Sequence, residues 1–131
     1  MSSPPSIAIV LLDHGSRRPE ANAQLEELAH RVAARRPEAQ VRTAHLEIVE
    51  PNLLQVIDEC VSTGATEIIV HPFFLAPGRH TTEDIPNQTE QARSRHPGVR
   101  IVTSDPLGLS DEMLNIVLER IDEAGRRSTR S

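Results

Sequence analysis

Three residues are set apart by where they fall in the chain. His14 follows a continuous apolar run at 7–12, Glu47 closes a second extended segment, and His80 lies just beyond a third. Two imidazoles and a carboxylate suit borderline divalent ions such as iron, cobalt, nickel and zinc. Three protein ligands also leave coordination positions open for water or a substrate, as a working site requires and a structural one does not. Groups fit for an anionic ligand lie close by. The turn His-Gly-Ser-Arg-Arg at 14–18 offers backbone N–H groups together with Ser16, Arg17 and Arg18. Arg79 precedes His80, and Phe73, Phe74 and Leu75 could wall a planar molecule.

Each of these residues also has a plainer reading. A lone histidine is more often packed or solvated than bound to metal. His30 and His96 fit that description, one on a helix surface and one at a helix end before Pro97. His45 stands two residues before Glu47, so on a strand both point to one face; it supports the ligands or lines the core. His71 ends a strand and is either packed or pocket-facing. Ser16 can simply cap its turn, with Arg17 and Arg18 solvated. Asp84 either orients His80 or caps the following helix, and capping is favoured. Paired phenylalanines beside a buried strand usually belong to the core. Cys60 reads as inert packing on a helix.

The elements that position these groups follow from hydrophobic spacing. Unbroken apolar runs suit strands buried on both faces of a parallel sheet. Strands are expected at 7–12, 41–48, 67–71 and 99–104. Helices are expected at 20–35, from 53 to a stop at Gly64, from 81 or 85 to before Pro97, and at 111–123. Four strands alternating with four helices make an α/β fold: a four-stranded parallel sheet flanked by helices on both faces, a flavodoxin-type three-layer sandwich. Ligands in such folds bind at the carboxyl ends of the strands, and there His14, Glu47 and His80 converge. One domain spans 6–124, between a disordered segment at 1–5 and a disordered basic tail at 125–131.

Composition narrows the function further. A formal charge of -5 argues against nucleic acid as a partner. The apolar run at 7–12 is far too short to cross a membrane, and the first residues lack the pattern of a signal peptide. A single cysteine allows no disulfide within one chain and fits a cytoplasmic location. Neither a GxxxxGK[ST] loop nor a GxGxxG fingerprint is present, so no nucleotide or other organic cofactor is expected.

Longer motifs carry a family likeness. Asp-His-Gly-Ser-Arg-Arg at 13–18 and Ala-His-Leu-Glu at 44–47, followed by Glu50 and Pro51, are the first two. Pro-Phe-Phe-Leu-Ala-Pro-Gly-Arg-His at 72–80, with Asp-Ile-Pro at 84–86 and Pro-Leu-Gly-Leu at 106–109, completes the set. From about 7 to 122 the chain resembles the small sirohydrochlorin chelatases, class II chelatase-like enzymes. Its nearest likeness is to the ferrochelatase of sirohaem synthesis, and the cobaltochelatases of cobalamin synthesis share much of the pattern.

The resemblance implies a lyase that inserts Fe2+, or alternatively Co2+, into sirohydrochlorin, the metal being a substrate. It maps the metal ligands onto His14, Glu47 and His80. By its place at the end of the first strand His14 is the candidate proton acceptor, with His80 as the alternative. Sirohydrochlorin carries several carboxylates, for which Arg17, Arg18 and Arg79 are electrostatic partners, with Ser16 and Phe74 also against the macrocycle. Larger relatives hold two such halves in one chain, so this chain is expected to work as a homodimer. No cysteine follows Asp105, and no histidine-rich tract is present, so cluster and metal-storage roles are not carried over. The rival is a non-enzymatic metal or tetrapyrrole carrier. A flavodoxin-like phosphoryl or nucleotide module ranks last, lacking its acidic cluster and glycine-rich loop.

Overall fold

The run at 7–12 is apolar at odd and even positions alike, so a strand made from it needs cover on both faces. In a computed structural model of the chain, which describes residues 6–128 apart from 77, it has that cover. β1 (Ile7–Asp13) lies inside the sheet between β2 (Ala39–His45) and β3 (Glu67–Pro72), and β4 (Arg100–Thr103) forms the far edge. All pairings are parallel, with Leu12 level with Ala44 on one side and Pro72 on the other. The order β2-β1-β3-β4 confirms the expected α/β fold. Connections leave β1 and β3 in opposite directions, so a crevice opens between their carboxyl ends.

The two faces are filled unequally. Ala8, Val10 and Leu12 of β1 join Ile68, Val70 and Ile101 on the face covered by α2 (Leu53–Ser62) and α3 (Arg79–Arg95). Leu53, Val56, Ile57 and Cys60 of α2 are all buried there. Each large aliphatic so placed contributes about 1.5–3 kcal/mol relative to exposure. On the opposite face α1 (Pro19–Arg35) brings Leu25 and Ala29 onto Leu11, and it covers β1 and β2 alone.

Local chemistry sets the helix ends. Pro19 starts α1, where its missing N–H costs nothing. Asn52 and Gln55 form a reciprocal capping box on α2, each side chain accepting from the other's backbone N–H at 2.9 and 2.8 Å. Within α3, Pro86 interrupts the ladder, and the buried Thr89 hydroxyl is shared between the carbonyls of Ile85 and Pro86, each at 3.0 Å.

Three of the differences from the expected boundaries change the reading of a segment. β2 stops at His45 rather than 48, because the chain reverses immediately afterwards. α3 starts at Arg79 rather than 81 or 85, so Arg79 and His80 belong to a helical first turn and not to a loop. α4 (Asp111–Ser128) continues past 123 into the stretch expected to be a disordered tail. Arg126 and Arg127 in its last turn complement the partial negative charge of a helix C-terminus. The termini expected to be disordered, 1–5 and 129–131, lie outside the described residues.

Candidate metal centre

At the carboxyl edge the loops after β1 and β2 are joined backbone to backbone. Leu46 N donates to Asp13 O at 2.9 Å and Glu47 N to His14 O at 3.1 Å. The residues carrying two of the expected ligands are therefore directly hydrogen-bonded, although 33 positions separate them in sequence (47 − 14). Both side chains are exposed on the rim. Glycine makes the approach possible. Gly15 sits at φ +92, and a Cβ there would stand 2.1 Å from the Glu47 carbonyl oxygen.

Past Glu47 the chain turns sharply. Val49 N donates back to Glu47 O at 2.9 Å around Ile48, whose φ is +76. That combination is a γ-turn of the strained kind, and a β-branched residue occupies its centre. The loop then folds back so that Pro51 O accepts from His45 N at 3.0 Å, the Glu50–Pro51 peptide being cis.

Beneath the junction lies a pair whose use sequence reasoning left open. His45 is 4% exposed, and its Nδ1 is 2.5 Å from Asp13 Oδ1, which also accepts from Gly15 N at 2.9 Å. One carboxylate oxygen thus holds the strand end of β2 and the turn that presents His14. The expectation that His45 and Glu47 share a strand face is corrected: Glu47 lies beyond the strand and is exposed, while His45 is buried. The only signals for this arrangement were the neighbours themselves, Asp13 before His14 and His45 two before Glu47.

The third loop reaches the same place. Phe73 N donates to Leu12 O at 2.7 Å, and the ring of Phe74 packs on that of His14, centroids 4.3 Å apart and planes 33° inclined. Phe74 is 7% exposed and belongs to the core, so it backs the His14 ring instead of offering its own face to a macrocycle. Phe73, at 36%, is the more accessible of the two. Asp84 lies inside α3, whose N-cap is Gly78, so the expected capping role does not hold. The side chains of Arg79 and His80 fall outside the described residues, and among the described residues no three potential ligands form a metal cluster.

Ser16 is occupied in its turn. Its Oγ accepts from Arg18 N at 3.0 Å, and its backbone exchanges two hydrogen bonds with Asn22. Arg17 and Arg18 are exposed, and neither forms an ion pair among the described residues. His96 is bound to Asp58 at 2.7 Å, away from the rim, as a packed histidine should be. His71 bonds Ser104 Oγ at 2.7 Å, and burial pushes its imidazole below the ordinary value. Burial likewise raises the Cys60 thiol to about 11, with Arg42 opposing and Glu59 adding to the shift, so the thiol is inert at neutral pH.

Fold and rim together define a doubly wound α/β protein whose loops bearing His14 and Glu47 are hydrogen-bonded to each other at the carboxyl edge of the sheet. The sequence profile of one family, CbiX, matches residues 8–124. The chain belongs to the CbiX family. It is 39% identical over 113 residues to the chloroplastic sirohydrochlorin ferrochelatase of Arabidopsis thaliana, covering 86% of this chain and 50% of that one. It is 33% identical to a sirohydrochlorin cobaltochelatase of Methanococcus maripaludis, covering 86% of this chain and 96% of that one. The crystal structure of the sirohydrochlorin chelatase SirB from Bacillus subtilis subspecies spizizenii in complex with cobalt superposes with TM-score 0.80 at 31% identity, over 90% of this chain and 50% of SirB. The chain thus spans half the length of the Arabidopsis relative and of SirB.

Proposed function

We propose that this chain is a sirohydrochlorin chelatase that inserts a divalent metal into the tetrapyrrole at the rim between β1 and β3. The observation that supports the reading is the backbone bond from Glu47 N to His14 O, which joins the two loops that carry one imidazole and one carboxylate, both exposed on the rim. His80, in the first turn of α3, is the third ligand of the proposal. A neutral imidazole replaces a water on the ion while leaving other positions exchangeable. The Glu47 carboxylate adds charge that favours the dication. Insertion expels two pyrrole N–H protons: as the ligands release the metal to the ring, His14, its own ring backed by Phe74, accepts one and the Glu47 carboxylate the other. Arg17 and Arg18, exposed beside the rim, and Arg79 meet the substrate's peripheral carboxylates, whose binding energy bends the macrocycle. Ser16 shapes the turn that presents the two arginines.

Iron is the metal proposed, in sirohaem synthesis, supported by the likeness to the Arabidopsis ferrochelatase. The second reading is cobalt insertion in cobalamin synthesis, favoured by relatives of this chain's own length that carry the cobaltochelatase name. The metal is a substrate in either case, and the reaction needs no organic cofactor. A homodimer in the cytoplasm completes the proposal. Among the described residues no helix is long and apolar enough to cross a membrane.

Anaerobic assay with sirohydrochlorin and Fe2+ or Co2+, followed by tetrapyrrole absorbance, tests both readings against the spontaneous rate. A protein that binds metal or macrocycle without accelerating insertion is a carrier, and the enzyme reading then fails. His14→Ala is expected to lower insertion at least about 100-fold. The variant should fold normally, because His14 is exposed. Full activity in that folded variant removes His14 from the site.

A further inference from the structure

Of the large apolar side chains left exposed among the described residues, most belong to α4 and the segment leading into it, at 109–121. The others are Ile48, Phe73 and Leu75, and all three stand on loops at the carboxyl edge of the sheet. Ile48 follows β2, while Phe73 and Leu75 follow β3. β1, which leads into His14, lies between those strands, so the two loops leave the sheet about 10 Å apart, at twice the strand spacing.

Ile48 is the one least explained by the needs of the fold. Its φ of +76 is reached readily by glycine and rarely by a β-branched residue. Burial does not offset that strain, because Ile48 is 59% exposed. Nor is the turn loose. Glu47 N is bonded to His14 O ahead of Ile48, Val49 N closes the turn on Glu47 O, and His45 N holds the returning chain at Pro51 O. A strained residue in a fixed turn, its apolar side chain turned to solvent, is accounted for by a ligand that the fold itself does not supply.

Position selects the ligand. Ile48 directly follows Glu47, the carboxylate of the proposed metal rim. The macrocycle of the proposed reaction has apolar faces and carboxylates around its edge. Arg17 and Arg18, exposed beyond His14, suit that edge, and a branched aliphatic suits a face. An ion delivered from Glu47 enters through the face that looks at Glu47, so the next side chain meets the same face. The centre of the ring belongs to the ion, and the contact therefore falls on a pyrrole. Pressure on the outer edge of one pyrrole, from the metal side, tips its nitrogen lone pair back towards the ion.

We propose that Ile48 is a substrate-contact residue, whose side chain bears on the outer edge of one pyrrole from the metal side and tips that nitrogen towards the entering ion. This rests on the chelatase reading above and gives the arginine-held ring the fulcrum over which it bends.

The test uses the full chain throughout. Metal-free sirohydrochlorin bound anaerobically to the native chain should show out-of-plane bands in its resonance Raman spectrum, and Ile48→Gly should weaken them. The glycine variant should unfold at the native urea concentration or above it, since glycine accepts φ +76 without strain. Its affinity for cobalt in the absence of tetrapyrrole should equal the native value, because His14 and Glu47 are untouched. Insertion should fall about 10-fold in kcat with KM little changed, the pattern of lost ring deformation rather than lost binding. Ile48→Leu, which restores apolar bulk, should recover most of the rate. An unchanged Raman spectrum in Ile48→Gly, a loss confined to KM, weaker cobalt binding, or a urea midpoint below the native one would each overturn the contact. So would a leucine variant no faster than the glycine one. A native chain that does not bind the macrocycle defeats both readings. One that binds it, loses the bands in Ile48→Gly and inserts no metal would defeat the chelatase reading alone.

Discussion

The junction below Glu47 and the helix α4 are built on opposite plans. At the junction the chain commits its backbone: two inter-loop hydrogen bonds, a glycine that alone fits, and a carboxylate shared by a buried imidazole and an N–H. α4 makes at most a marginal contact with any strand or other helix and leaves large aliphatic side chains half in solvent. The two positions proposed as ligands are set by backbone contacts, which have few alternative geometries. The apolar side of α4 carries no such constraint within the described residues. The difference predicts where a substitution will be costly and where it will be tolerated.

Gly15→Ala should break the junction most severely. The new methyl meets the Glu47 carbonyl at 2.1 Å, and φ +92 is unfavourable for alanine in any surroundings. Backbone has to move, so a loss of about 3 kcal/mol is expected, together with a fall in metal insertion of at least about 100-fold. Urea unfolding and the absorbance assay measure the two effects. An alanine variant with native stability would mean that the loops are not held as close as described.

Asp13→Ala comes next. It leaves the buried His45 Nδ1 and the Gly15 N–H without their acceptor, at a cost of about 2 kcal/mol. A role confined to stability would leave insertion by the folded fraction unchanged. Positioning predicts weaker binding of cobalt to folded protein, read from its visible spectrum, with partial recovery in Asp13→Asn, whose amide oxygen can still accept from Gly15. Equal cobalt affinity in all three proteins would reduce the pair to packing.

Much of this arrangement was legible in the sequence, and the limit has a physical origin. The apolar run at 7–12 gave β1, shorter apolar-rich segments gave the other three strands, and Gly64 marked one helix end, because these signals are local. The motif Asp-His-Gly showed that something happens after β1. It could not show that Gly15 is there to admit Glu47, since that contact joins residues far apart in the chain. The end of β2 read three residues late because Leu46 and Ile48 are good strand formers, and the reversal at Ile48 runs against its own propensity. Likewise α4 outlasted its apolar pattern, carried on by basic residues that read as tail but suit a helix end.

The smallest expected effect separates the open sheet face from the junction by pH. His71 lies on the α1 side of β3, level with Leu11 and beyond the cover of α1. Burial holds its imidazole below the ordinary 6.5, so the folded chain prefers it neutral. As pH falls through 6.5 the unfolded chain takes up this proton before the folded one does, and stability declines in that direction. The contribution is therefore complete above about pH 7 and lost on acidification. His71→Gln, which keeps a partner for Ser104, should match the native chain at pH 8 and show a flatter fall in its urea midpoint down to pH 5. Parallel midpoint curves for the two proteins would mean that His71 contributes nothing to the dependence of stability on pH.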